Sequence, residues 1–201
     1  FFNRLDWSRN RNAKNIYFFL GDSHSEFYGR NFKENSNKEI KFVTLWLGPI
    51  LLIKFLKSNF LIKRSVFFIN NLVRFFGKSK NYHIIFSFGE IDLRTYFYRK
   101  LKLSASENDL ENLLNDYSSL LKKKFKELEA SISKKDNIFF YFKEPPPTSF
   151  EDGLKPQNRV EMEEIYKSKE FPILGSVSDR VNWYKKFIYK LSKSLDRMSY
   201  L

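Results

Sequence analysis

At 201 residues with 42% hydrophobic side chains, the chain is long enough for one domain with a sizeable core and too apolar for a disordered segment. It has no Cys, which excludes disulfides, thiolate chemistry and a Cys-based zinc site; its two His, His24 and His83, are too few for a His-rich metal centre, and no cofactor is expected. The net charge of +13 would suit nucleic acid or an anionic membrane, but Lys is spread along the whole chain and Phe, Asn, Ile and Tyr are also heavily used, so compositional drift accounts for it and a nucleic-acid partner is not expected.

Residues 1–14 are polar, rich in Arg and Asn, and read as a lead-in loop without the apolar stretch of a secretory signal. Ile16 to Leu20 is an unbroken apolar run and predicts a strand buried on both faces. Residues 23–30 predict a short helix, and 31–39 a polar loop. Phe42 to Leu47 predicts the second strand, stopped by Gly48-Pro49. From Ile50 to Phe76 the pattern is helical, as two helices. Leu51, Leu52, Phe55 and Leu56 share a face, away from Lys54 and Lys57. Ser65 is expected to cap the second helix, and Gly77 to stop it. The stretch is also basic and Phe-rich enough for a membrane-surface helix. Helices packed on a sheet are preferred, and peripheral membrane contact stays open.

Tyr82 to Ser87 predicts the third strand, followed by a helix from Leu93 to about Leu103. Glu107 to Ser133 keeps a helical period through Leu110, Leu113, Leu114, Tyr117, Leu120, Leu121, Phe125 and Leu128. Asn137 to Phe142 predicts the fourth strand, ended by Pro145-Pro146-Pro147. Residues 148–175 read as a long loop of functional or mobile type. Ser176 or Ser178 caps a final helix to about Arg197. Strands alternating with helices predict a single α/β domain, 1–201: a flavodoxin-like three-layer α/β/α sandwich on a central parallel sheet. Only four strands are legible, so the last strand is expected to be missing and the domain to be incomplete at its C-terminus. No apolar run reaches the roughly 20 residues of a spanning helix, and a cytoplasmic location is expected.

Three strand ends carry unusual residues. Gly21-Asp22-Ser23-His24 follows the first, Gly48 the second, and Gly89-Glu90-Ile91-Asp92 the third. A parallel sheet brings these ends to one edge, where ligands bind in open α/β folds. Ser23 at a strand end opening a helix is either a nucleophile with a base in reach, or with Asp22 a plain N-cap.

In order and spacing these blocks resemble the SGNH (GDSL-like) hydrolase family. The resemblance implies Ser23 as nucleophile, with its own N–H as one oxyanion donor and Gly48 as the second. Gly89 and Asp92 match the third block, and Asp22, His24, Gly89, Glu90, Asp92 and Arg94 fall on the substrate side. Two features depart from the family. Its third block has Asn where Ile91 stands, so one donor is missing, which typically costs ~10²–10³ in rate. Phe88 to Arg94 looks like a variant block of a less characterised branch of SGNH-like proteins, some of them associated with glycan synthesis. Arg94 is either a substitute donor or the partner of Glu90 in an i,i+4 pair, and Asp92 is either a substrate-side residue or a helix N-cap. The Asp-x-x-His block that supplies the family's base is absent. His83 begins the third strand, at the wrong end of the sheet. His24 lines the pocket or packs as a wall residue. The base therefore lies beyond Leu201, or the chain is a non-catalytic relative. The implied activity is hydrolysis or transfer of an O-acyl ester, with a small molecule or a glycan as substrate. The alternative is a silent module binding a glycan or an anionic ligand. The oligomeric state is not legible.

Overall fold

Apolar runs rich in Ile, Phe and Tyr form the strands, as their preference for a pleated, buried surface dictates. In the computed structural model these are β1 (Asn15–Gly21), β2 (Ile40–Trp46), β3 (Asn81–Ser87) and β4 (Ile138–Lys143). The structure describes residues 13–22, 39–103, 109–132, 137–143, 151–169, 172–194 and 199–200. The strands are all parallel, in the order β2-β1-β3-β4, and a fifth, β5 (Ser199–Tyr200), pairs with β4. The order 2-1-3-4-5 is that of flavodoxin-like, three-layer α/β/α folds. The expectation of a missing last strand is corrected: a fifth strand is present. It was invisible because two residues carry no period-2 pattern.

The helices are α1 (Leu52–Lys57), α2 (Asn59–Phe76), α3 (Phe97–Leu101), α4 (Leu110–Ser131), α5 (Arg159–Ser168) and α6 (Val177–Ser194). A π-helical turn, Asp92–Tyr96, leads into α3. Alternate residues of the central strands, Ile16, Phe18 and Leu20 on β1 and Tyr82, Ile84 and Phe86 on β3, join the buried core. Phe86 packs on Phe55 of α1 and, edge-on at 4.6 Å, on Phe125 of α4. Phe97, Tyr117 and Phe187 meet edge to face at 5.4–5.6 Å and join α3, α4 and α6. Burying a side chain such as Phe86, fully enclosed here, stabilises the fold by about 1.5–3 kcal/mol.

Two local expectations change and one is decided. Ser58, not Ser65, caps α2: its Oγ accepts from Leu61 N at 3.2 Å. Ser65 lies inside the helix and donates back to Leu61 O. The long stretch before α6 holds a helix, α5, capped by Asn158, and is closed on itself where Leu154 bridges Leu174. Ser176 caps α6 through Asp179 N at 3.1 Å. The helix expected at 23–30 lies outside the described residues. Among the described residues no helix is long and apolar enough to cross a membrane.

Candidate functional site

The carboxyl ends of β1, β2 and β3 meet at one edge. Gly21 pairs with Trp46 on one side and Ser87 on the other. Beyond it, Leu47 N donates to Gly21 O at 2.9 Å and Asp22 N to Ser87 O at 3.2 Å. A Cβ on Gly21 would lie 2.0 Å from Ser87 O, so only glycine lets the strands close here. Gly48 and Gly89, just past the ends of β2 and β3, hold φ of 92° and 110°, which turns the chain away from the sheet. Asp22 is buried beside them. Among the described residues none accepts a hydrogen bond from the Gly48 N–H. Asp22, Gly48, Gly89, Glu90 and Arg94 are thus gathered by this edge. Ser23 and His24, which follow Asp22 in sequence, lie outside the described residues.

Asp92 needs correction. It was expected on the substrate side, but its side chain is fully buried. Its carboxylate accepts from Leu52 N at 2.6 Å, from Ile53 N at 3.2 Å and from the Tyr117 hydroxyl. Burial pushes its pKa up to about 6, against the pull of those three bonds, and the charge of Asp22 adds to the rise. Tyr117 is raised well above the usual phenol value by burial and by Asp92. The residue at the N-cap of α1 is Leu51, which offers no side-chain acceptor. Asp92 supplies the missing cap from the third block and so ties the start of α1, three residues past Gly48-Pro49, to the end of β3.

Glu90 is buried and pairs with Arg94: Nε to Oε1 is 3.4 Å, the i,i+4 arrangement. Arg94 keeps 26% of its side chain exposed, so it can still meet a ligand at the edge. Ile91 is 1% exposed and packs in the core; it offers no hydrogen-bond donor where the family pattern has one. In the π-helical turn the carbonyl of Arg94 accepts from Leu174 N at 3.0 Å, which docks the 151–175 segment against the third block.

Arg180 was missed altogether. It is wholly enclosed, and its guanidinium donates to the carbonyls of Leu174, Gly175 and Glu151. Those bonds, with Tyr98 Oη donating to Pro156 O at 3.1 Å, fasten the segment to α3 and α6. A buried charge is tolerable only when so satisfied. An Arg between Asp179 and Val181 in a first helical turn gives no sign of this in sequence. Tyr117 was legible only as one member of a core stripe.

His83 stays at the far end, as expected. It lies four residues before Ser87 on β3, roughly 13 Å along the strand. Its ring stacks on Tyr17 at 4.4 Å and its Nδ1 is 3.0 Å from Tyr141 Oη. Burial holds its pKa below the usual imidazole value.

No protein-family model matches the chain, and no curated protein matches it. Among solved structures, the crystal structure of the lipase Lip_vut3 from a goat rumen metagenome is similar at 12% identity, over 92% of this chain and 79% of that one, with a TM-score of 0.47. Likeness at that level bears on neither family nor activity.

Proposed function

We propose that the carboxyl edge is the acyl site of an SGNH-like serine esterase or acyltransferase acting on an O-acyl ester, with an acylated sugar as the substrate class. The observation that supports it is the meeting of three glycine-marked strand ends, with the N–H of Gly48 among them meeting no acceptor among the described residues. Ser23 Oγ attacks the ester carbonyl, and the Gly48 and Ser23 N–H groups hold the oxyanion. The C–O bond then breaks and the sugar hydroxyl leaves with a proton. Water, or a second hydroxyl, next takes the acyl group from Ser23. A base must accept the Ser23 proton and pass it to the leaving oxygen. His83, at the far edge, cannot serve. Asp92 holds α1, and with it Gly48, in register.

A second reading is favoured by Ile91: an edge that lacks the third donor suits a binding module for a glycan or an anion, using Glu90 and Arg94 with His24. The two separate on turnover of p-nitrophenyl acetate by the full chain. An esterase gives turnover that Ser23→Ala abolishes. A binding module gives none above background. Turnover that survives Ser23→Ala would place any chemistry elsewhere.

A further inference from the structure

The outward face of α2 differs from that of its neighbour. α2 buries Ile62, Phe68, Ile69, Leu72 and Phe76. On the opposite side Phe60 is 69% exposed, Phe67 62% and Phe75 41%, with Lys63, Arg64 and Arg74 exposed between them. Positions 60, 63, 64, 67, 74 and 75 fall within one helical stripe. α4 packs beside α2 and exposes Glu111, Asp116, Lys122 and Lys123; none of its aromatic side chains is exposed. Single exposed Phe residues are ordinary, but three interleaved with cations along one helix are a pattern. From Ile40 through Gly89 the chain has Lys and Arg and no Asp or Glu, so no carboxylate of this segment neutralises the stripe.

Rings alternating with cations complement a surface that is anionic outside and apolar just beneath. We propose that this stripe docks the protein peripherally on an anionic lipid surface. Phe60 and Phe67 enter the boundary between headgroups and acyl chains, and Lys63, Arg64 and Arg74 meet the lipid phosphates. This stands apart from the acyl site and needs none of its residues.

Co-sedimentation of the full chain with vesicles tests it. Binding is expected to phosphatidylcholine vesicles that carry phosphatidylserine, to weaken with salt, and to be absent on phosphatidylcholine alone. Phe60→Ser with Phe67→Ser should remove it at an unchanged thermal transition. Lys63→Gln with Arg64→Gln should weaken it roughly 20- to 30-fold, at about 1 kcal/mol per cation. No binding to the mixed vesicles overturns the proposal, as does equal binding by the parent and both variants. A dimer in sedimentation equilibrium that the Phe variant alone dissolves would assign the stripe to a second copy of the chain instead.

Discussion

The two edges of the sheet are built from the same strands but do not treat their polar groups alike. At the amino edge polar groups pair with one another. Lys14 N and Asn15 N donate to Glu39 O, Asn81 N to Lys14 O, and Tyr82 N to Asn137 O. Side chains add to this: Lys80 Nζ donates to Ala13 O at 2.6 Å, Asn81 Nδ2 to Asn15 Oδ1 at 3.2 Å, and His83 meets Tyr141. At the carboxyl edge glycines mark the strand ends, two of them at positive φ, and among the described residues the Gly48 N–H meets no acceptor. Carboxylates there are enclosed: Asp92 is given over to holding α1, and Glu90 pairs with Arg94. The difference supports the proposed function, since an edge that satisfies its own donors has none to offer a substrate.

Substitutions at the two edges should therefore separate cleanly. The largest effect expected is on rate: Ser23→Ala should lower ester turnover by roughly 10⁴-fold or more while leaving the urea midpoint unchanged. Gly21→Ala should act on stability, because a methyl group 2.0 Å from Ser87 O must part β1 from β3. A loss of about 3 kcal/mol, at the upper end for overpacking, is expected in urea unfolding.

Asp92→Asn should do a little of both. Its amide would face the donors Leu52 N and Ile53 N, costing about 1–3 kcal/mol, and kcat should fall as Gly48 shifts. Its pH signature is distinctive. In the fold the Asp92 pKa is about 6, above its ordinary value of 3.8, so the folded state holds this proton longer than the unfolded one. The stability this group contributes is complete below about pH 4 and is lost as pH rises through about 6. Urea midpoints measured across that window should decline in the parent and flatten in Asp92→Asn. The smallest effect belongs to the amino edge: His83→Phe should cost about 1 kcal/mol through the lost Tyr141 contact and leave turnover unchanged. A fall in turnover there would break the contrast between the edges.

Much of the carboxyl edge was legible because its signals are local. Apolar runs ending at Gly21, Gly48 and Gly89 mark both strand and turn, and parallel topology does the rest. The long-range features were not. Asp92 reads as a cap for its own helix, and nothing near it in sequence says that it caps one 40 residues earlier. Arg180 carries the look of a solvated helical cation, and its enclosure comes only from the folding back of 151–175. Ser65 was expected as the cap; the start of α2 at Asn59 gives that place to Ser58. The two residues of β5 acquire an identity only through pairing with β4.

We propose that the carboxyl edge presents Ser23 for acyl chemistry. The most direct test is a fluorophosphonate probe applied to the full chain, with the modified peptide mapped by mass spectrometry. A single adduct on Ser23, absent from Ser23→Ala and present in His83→Phe, is the predicted result. An intact chain after prolonged exposure, or an adduct on another residue, would contradict it.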